Sequence, residues 1–424
     1  MKKNESKFPM LKWAKDLFPL CRSITGVGTQ LSLKYFKKLN PEFKIIKFKT
    51  GKKIFDWIIP EEWNIKNAYF IDSKGRKYCE FKKNNLHVIG YSTPINKKID
   101  KKILLKHIYT QKSQPNAIPY VTSYYKKRWG FCMSENQKSK LPSGKYRVFI
   151  DSNFKKGNLE LIEAFIKGKK KDEIFFSSYI CHPSMANNEL SGPLIIMALS
   201  KILRPMKYTI RLVLIPETIG AIAYIKLNFS RLKKNLIAGF NLTCVGDNGP
   251  FTLISSKEGN TYSDKIAKRI LDKTPKFKVL SFLSRGSNER QFGCQNLGLP
   301  FVTICRSRFG DYKQYHTSDD NLKLISENNL KNTLRKMILI IEEIQKNKIF
   351  FKTVNCEPFF SKHNLVRTTR KIPNSLENDL FNLSAYVDRN YDEVELAKLL
   401  NKSRKYIKSK IKILQKNKII QEFV

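Results

Sequence analysis

Four residues that can bind a metal ion or move a proton follow four separate apolar segments of the chain. They are His182 after residues 173–180, Glu217 after 210–215, Asp247 after 236–245, and His316 in the loop after 300–305. Imidazoles and carboxylates that converge on one point form a ligand set that zinc takes, with a position left open for water. The chain holds only five histidines, and two of them belong to this set. The pattern predicts a metal centre if the fold brings the four residues together.

Each of the four residues also has an ordinary structural interpretation. His182 beside Cys181 fits a satisfied pair at the end of a buried strand, and Glu217 fits the start of a helix, where a carboxylate complements the dipole. Asp247 precedes an Asn-Gly-Pro turn, and His316 could hydrogen-bond within its own loop. The joint placement of the four residues favours the metal interpretation.

The elements that must position these residues alternate between two types. The apolar segments before them are short and rich in β-branched and aromatic residues, as in strands buried on both faces. Segments with helical spacing lie between them, at 192–203, 218–229, 263–273 and 326–345. This alternation predicts an α/β fold with a mostly parallel sheet flanked by helices. The carboxyl ends of such strands share one edge, where ligands bind, so we expect one common cavity there.

Two other parts of the chain have a different pattern of residues. Residues 41–135 contain short β-like runs separated by turn signals, which predicts a β-rich module. Residues 376–424 contain three helical segments and a terminal run that can only be a short strand, an order similar to a truncated winged helix. Residues 351–375 are then the linker before it.

The net charge of +44 comes from 80 Lys and Arg residues against 36 Asp and Glu residues. A charge of this size is typical of proteins that bind nucleic acid or anionic surfaces. Lysine, however, far outnumbers arginine and is spread over the whole chain, as an A/T-rich coding sequence produces without functional selection. We therefore favour compositional drift over a dedicated polyanion site.

The eight cysteines are scattered and form no CxxC pair. A chain of 49.5 kDa buries enough core to fold without disulfides, so we expect reduced cysteines in the cytoplasm. Residues 1–5 are followed by no apolar stretch, so no signal peptide is predicted. No apolar run approaches the roughly 18 residues that a membrane span needs, so no span is predicted either. The sequence leaves the oligomeric state open.

Longer motifs contain three of the four residues. They include CHPSMANNELSG at 181–192, PETIG at 216–220, YHTS at 315–318, RSITG at 22–26 and IPYVTSYY at 118–125. These motifs resemble a bacterial family of aminopeptidase-like domain proteins that are often linked with polysaccharide biosynthesis. The resemblance implies a zinc-exopeptidase-like domain over residues 1–40 and 136–350, with residues 41–135 as an inserted β-rich domain. It also implies a C-terminal winged helix over 376–424.

A more distant resemblance, to characterised di-zinc aminopeptidases, is partial. His182, Glu217, Asp247 and His316 fill four of the six roles in those sites, with Glu217 as the general base. Asn188 stands where those enzymes have a bridging aspartate, with Glu189 beside it, and Thr218 replaces a second glutamate. An amide cannot bridge two cations as a carboxylate does. The departures from the di-zinc pattern therefore favour a single zinc ion, or none, over a paired site.

The expected ligands of this single zinc ion are three of the four residues at the strand ends and one neighbour. They are His182, Asp247, His316 and Glu189. Substrate-binding residues are expected on the same segments, at Asn188, Arg285, Glu289, Arg290 and Tyr315. The expected activity is hydrolysis of an amide bond in a small substrate, either a peptide or an amino-sugar derivative. An acetamido or carboxylate group would suit the basic surroundings.

Two alternatives stay open. The altered ligand set also fits an inactive, metal-poor binding protein on the same scaffold, acting within a glycan-assembly system. The helix predicted from Ser403 could instead bind nucleic acid through its lysines. Because winged helices often serve as docking modules and lysine is common throughout this chain, nucleic-acid binding is not favoured.

Overall fold

The computed structural model describes residues 8–294, 296–366 and 374–422. The segment 1–5, predicted to hold no signal peptide, lies outside the described residues. So do residues 367–373 of the predicted linker and the last two residues of the predicted terminal strand.

Eight strands form the central sheet, in the order β1-β10-β12-β11-β13-β16-β14-β15. Their bounds are Lys44–Lys49 (β1), Asn158–Ile166 (β10), Lys170–Tyr179 (β11), Tyr208–Ile215 (β12), Leu236–Leu242 (β13), Thr252–Ile254 (β14), Lys278–Leu280 (β15) and Phe301–Cys305 (β16). The centre, from β12 through β11 and β13 to β16, is parallel as predicted. Strands β1 and β10 pair antiparallel, and β14 pairs antiparallel with β16 but parallel with β15, so the sheet is mixed, with four of its seven pairings parallel. One cause is the three-residue connection from β10 to β11, which is too short for a parallel crossover.

The described residues also form helices, some of which cover both faces of this sheet. Their bounds are Met10–Leu17 (α1), Val27–Leu39 (α2), Lys101–Leu105 (α3), Glu135–Ser139 (α4), Ser191–Ile202 (α5), Ile219–Asn235 (α6), Tyr262–Leu271 (α7), Glu289–Phe292 (α8), Glu327–Lys346 (α9), Ser375–Tyr386 (α10), Glu393–Leu399 (α11) and Arg404–Lys416 (α12). Along β12, Leu212 and Leu214 join the core beneath α1, α5, α7 and α9, whereas Val213 and Ile215 join the core beneath α6 and α8. This period of two is that of a strand buried on both faces. The α/β class is therefore confirmed.

A smaller sheet of four strands lies beside the central one, in the order β5-β4-β9-β6. Its strands are Glu62–Ile71 (β4), Lys77–Tyr78 (β5), Ile95–Asp100 (β6) and Lys145–Lys155 (β9). Short strand pairs flank it, formed by Lys53–Ile54 (β2) with Trp57–Ile58 (β3), and by Ile108–Tyr109 (β7) with Phe131–Cys132 (β8). Strand pairing does not follow the predicted limits of 41 and 135, because β1 belongs to the central sheet and β9 to the smaller one.

The C-terminal residues form a cluster of their own around α10, α11 and α12. Strand Ile420–Glu422 (β18) pairs antiparallel with Phe350–Lys352 (β17), which lies at the start of the predicted linker. Arg269 of α7 ties this cluster to the α/β part of the chain through Asp392 at 2.9 Å. None of the described helices combines the length and the apolar character needed to cross a membrane.

Candidate functional site

His182 lies three residues beyond the end of β11, and its imidazole is held from one side. The Nδ1 atom lies 2.7 Å from Oε2 of Glu189. Glu189 belongs to a single π-helical turn, Ala186–Leu190, which precedes α5. Such turns often occur at functional sites because they redirect side chains. Since Nδ1 is engaged, Nε2 is the nitrogen of His182 that faces the cavity, 3.8 Å from Glu217 Oε2.

Glu189 has contacts that favour an orienting role over its predicted role as a metal ligand. Its Oε1 atom accepts a hydrogen bond from the Cys181 backbone N–H and lies 3.7 Å from Nε of Arg22. Arg22 is fully buried and also donates to the main-chain oxygen of His182 at 3.0 Å. Ligand atoms of Cys181, His182 and Glu189 lie within 4.8 Å of one another, a spacing that could hold a metal. We nevertheless assign Glu189 to the support of His182, because both of its oxygens are already engaged.

Glu217 follows β12 and is presented by a strained turn. The next residue, Thr218, has a φ of +61°, a conformation rarely adopted by a β-branched residue. Asn288 accepts the Thr218 N–H at 3.0 Å, and Arg290 donates to the Thr218 hydroxyl. The Glu217 side chain stays 21% exposed, so it can reach a substrate. Burial raises the pKa of its carboxyl, while the charges of His182 and Arg290 oppose that rise.

His316 lies opposite His182, with 5.4 Å between the two ring centroids. Its φ is +55°, so the loop that carries it is strained at this residue, as at Thr218. The Nε2 atom is buried and has no hydrogen-bond partner among the described residues. Burial and the nearby His182 lower the pKa of His316 to about 3, so its ring is neutral. For His182, burial lowers the pKa but Cys181 and Glu189 raise it, and the net pKa lies well above its ordinary value.

Asp247 does not line the cavity beside His182, Glu217 and His316. Its Oδ2 accepts from Asn187 at 2.9 Å and its Oδ1 from the Gly249 N–H at 3.0 Å. The residue that follows β13 directly is Thr243, whose hydroxyl contacts Tyr179 at 2.6 Å. Because β13 ends at Leu242, the predicted strand was three residues too long.

Asn188 lies close to the carboxyl ends of β11 and β13. Its Nδ2 donates to the Tyr179 hydroxyl at 2.5 Å, and its Oδ1 is buried without a partner among the described residues. Asp320 fixes the turn that carries Asn188, accepting the backbone N–H groups of Ala186, Asn187 and Asn188. Burial raises the pKa of Asp320 to about 6 against the opposing effect of these bonds.

A pocket of about 370 Å³ opens beside His182, Glu217 and His316. Four aromatic side chains line it, namely those of Trp57, Tyr120, Tyr124 and Tyr125. The Tyr120 ring meets both histidine rings edge-on, with centroids 5.1 Å from His182 and 5.0 Å from His316. A β-bridge between Pro119 and Thr317 joins the two loops. Residues 118–125 therefore form a wall of the site.

The remaining predicted substrate-binding residues are placed differently from one another. Arg290 lines the pocket. Tyr315 stacks on the His316 ring with centroids 3.9 Å apart. Arg285 is exposed over Phe282 and does not line the pocket. Glu289 is buried and accepts from the Gly286 N–H at 2.7 Å and from the Thr303 hydroxyl at 2.8 Å, so it holds a loop.

Sequence reasoning missed three residues that shape the site: Arg22, Tyr120 and Asp320. Two of them lie in motifs quoted above, RSITG and IPYVTSYY, which carried the family resemblance but no assigned role. Arginine inside an otherwise apolar N-terminal segment was the available signal for Arg22, since a buried arginine needs a carboxylate partner.

The sheet and the pocket at its carboxyl edge define a protein with the fold of the zinc aminopeptidases. The chain is similar to the structure of BSAP, a zinc aminopeptidase from Bacillus subtilis, with a TM-score of 0.60 over 81% of this chain and 94% of that chain. The two sequences are 13% identical, so the likeness is one of fold.

A sequence relative and a crystal structure, both from Clostridium acetobutylicum, are similar over most of the chain. One, named "Putative polysaccharide biosynthesis protein with aminopeptidase-like domain", is 38% identical over 357 residues, 83% of this chain and 82% of that protein. The other, a crystal structure described as a "putative peptidase", has a TM-score of 0.80 and 34% identity, covering 99% of this chain and 98% of that one. Residues 11–347 match the family described as "Domain of unknown function (DUF4910)". The chain belongs to this family, and the resemblance to aminopeptidase-like domain proteins is confirmed.

Proposed function

We propose that this protein is a zinc-dependent hydrolase of amide bonds, with one zinc ion held by His182 and His316 and with Glu217 as general base. The observation that carries the proposal is the convergence of the two imidazoles, 5.4 Å apart between ring centroids, beside a partly exposed carboxylate. The zinc-aminopeptidase fold of the chain supports it.

The residues present fit one zinc ion. His316 offers a buried Nε2 without a partner among the described residues. The Glu189 bond at Nδ1 leaves Nε2 of His182 as the atom that would bind zinc once its proton is displaced. A histidine that donates from its other nitrogen to a carboxylate is the usual arrangement at zinc sites. Asn188 offers a buried amide oxygen with no partner in the described part of the chain. This oxygen can complete a single site but cannot bridge two ions. Asp247 is engaged by Asn187 and Gly249, so it is not one of the proposed ligands.

Bound zinc supplies Lewis acidity, which polarises a carbonyl and lowers the pKa of water. In the proposed reaction, Glu217 takes a proton from the attacking water and returns it to the leaving nitrogen. Glu189 holds the His182 ring in one orientation, and Arg22 holds Glu189. The wall of residues 118–125 and Trp57 keeps bulk water away from the reacting carbonyl.

The test of Glu217 separates the base role from a ligand role. In the Glu217→Gln variant we expect amide hydrolysis to be lost while zinc content, measured by elemental analysis, stays at the wild-type ratio. Retained turnover would remove Glu217 from the base role, and lost zinc would make it a ligand.

The metal-poor binding protein is the second candidate, favoured by the amide at Asn188 and the hydroxyl at Thr218. A zinc-to-protein ratio near zero after growth with added zinc would support that candidate and contradict the hydrolase. A role in polysaccharide biosynthesis is suggested by the name of the Clostridium acetobutylicum relative. We also propose that residues 41–135 form an inserted β-rich domain and that residues 376–424 form a winged helix, which serves as a docking module.

A further inference from the structure

The charges that line the pocket are unusual for a site that would receive a free amino terminus. Among the described residues that line it, Glu217 is the one carboxylate. In the proposed function this carboxylate must exchange protons with water, so it cannot also serve as a fixed counter-ion. A protonated amine that leaves bulk water needs such a counter-ion to offset its lost hydration.

The pocket instead presents a cation. Arg290 lines it, is exposed, and donates to the Thr218 hydroxyl, which fixes the guanidinium at the wall. No salt bridge of Arg290 occurs within the described part of the chain. Its remaining N–H groups keep the planar fork that matches a carboxylate.

Another part of the pocket wall is aromatic. Trp57 is 36% exposed and Tyr125 is 55% exposed, and their rings meet edge-on with centroids 5.7 Å apart. Both rings line the same pocket as Arg290 and Glu217. Such a wall suits a sugar ring or a large apolar side chain rather than an extended peptide backbone.

We propose that the site takes an N-acylated compound that carries a carboxylate, rather than a peptide with a free amino terminus. This inference rests on the proposed amide hydrolysis. N-acylated amino acids and N-acetylated acidic sugars share the required chemistry. In the reaction, the water oxygen bonds to the carbonyl carbon and the carbon–nitrogen bond breaks. One water proton reaches the nitrogen, so the products are a carboxylic acid and an amine.

The test compares four probes on the full chain supplied with zinc. N-acetyl-L-phenylalanine and N-acetylmuramic acid are N-acylated carboxylates, N-acetyl-L-phenylalanine amide lacks the carboxylate, and L-phenylalanine amide has a free amine. Binding is measured by calorimetry and turnover by product release. We expect the two carboxylates to bind about tenfold more tightly than the other probes, as one charge-assisted hydrogen bond provides. The carboxylate probe that binds more tightly shows whether the site takes an N-acylated amino acid or an N-acetylated acidic sugar.

Binding and turnover decide different questions. Equal or tighter binding of L-phenylalanine amide overturns the inference, even if its hydrolysis supports the proposed function. Preference for the carboxylates without turnover of any probe supports the inference on recognition and contradicts the hydrolase. Hydrolysis of the carboxylates with the expected preference supports both.

Variants test the assigned cation directly. Arg290→Gln should weaken binding of both carboxylates about tenfold and leave the neutral N-acetyl amide unchanged. Arg290→Lys keeps the charge and should lose less. Arg147→Gln removes an exposed arginine from β9 and serves as the matched control. Unchanged carboxylate binding in Arg290→Gln would refute the assignment.

Discussion

The buried chain of contacts from Arg22 through Glu189 to His182 is the feature that distinguishes this site most at the scale of single residues. Glu189 is 0% exposed, and so is Arg22. Burying two opposite charges costs several kcal/mol of hydration unless their contacts offset it. Here the buried pair fixes the orientation of the imidazole that faces the pocket. We therefore expect this unfavourable burial to serve the function of the site.

Neutralising Glu189 should therefore weaken zinc binding without removing a ligand. The Glu189→Gln variant keeps a hydrogen-bond acceptor for His182. It loses the negative charge that makes the imidazole a more basic ligand for zinc. We expect zinc affinity to fall about 10- to 100-fold. Competition with a coloured chelator measures this affinity, independently of catalysis.

Glu173 provides the matched control for Glu189. It is an equally buried carboxylate at the opposite end of β11, paired with Arg211 at 2.7 Å. Glu173→Gln should lower stability but leave zinc affinity unchanged. If both variants lose zinc equally, general destabilisation explains the loss and the orienting role of Glu189 is wrong.

For His182, Glu217 and Asp247, the outcome of the prediction depends on how directly each residue follows a strand. His182 and Glu217 come within three residues of a buried strand, and the structure brings both to the pocket. Asp247 lies five residues beyond β13, and Cys244, with a φ of +50°, turns the chain before it. Local hydrophobicity did not reveal that turn, because Val245 is apolar and buried.

At the scale of elements, periodicity was sufficient within the α/β part of the chain. The predicted helix at 192–203 corresponds to Ser191–Ile202, and the one at 326–345 to Glu327–Lys346. Both helices cover the same core, and the contacts with it set their apolar spacing. The contact between residues 118–125 and the His316 loop could not be predicted, because it joins segments about two hundred positions apart through backbone bonds that have no side-chain signature.

A strand irregularity gives a prediction about pH. The register of β11 against β12 shifts between Lys170 and Glu173, which leaves Asp172 buried in the bulge. Burial raises the pKa of Asp172 from 3.8 to about 6, although Lys170 and Arg389 oppose the rise. A carboxyl with a raised pKa destabilises the folded state once it ionises. Its contribution to stability is therefore lost as the pH rises from its unfolded pKa to its folded one.

Asp172→Asn should thus stabilise the protein at neutral pH and not at acid pH. We expect the free energy of unfolding at pH 7 to increase by about 1–2 kcal/mol, because the variant removes the unfavourable ionisation of the buried carboxyl. At pH 4 the difference should be close to zero. Urea unfolding at the two pH values measures both, and a variant less stable at pH 7 would show that ionised Asp172 is favourable.

At the scale of the whole molecule, the charge of +44 must be separated from any dedicated surface. Helix α12 carries Lys405, Lys412 and Lys416, all exposed along one face. A nucleic-acid-binding helix would show such a row. Helix α2, however, also exposes three lysines, at 34, 37 and 38, and it has no expected contact with nucleic acid. Rows of lysine therefore arise in this chain without a common function.

We accordingly predict weak duplex binding that depends on total charge. Affinity should fall steeply from low to physiological salt, and replacing the three α12 lysines by glutamine should change the salt slope no more than replacing Lys34, Lys37 and Lys38. A dedicated site on α12 would instead lose about one unit of slope per lysine, from the α12 variant alone. Fluorescence anisotropy with a labelled duplex over a range of salt concentrations distinguishes the two. If the salt slope falls in the α12 variant alone, compositional drift does not explain the charge of this helix, and α12 is a nucleic-acid-binding surface.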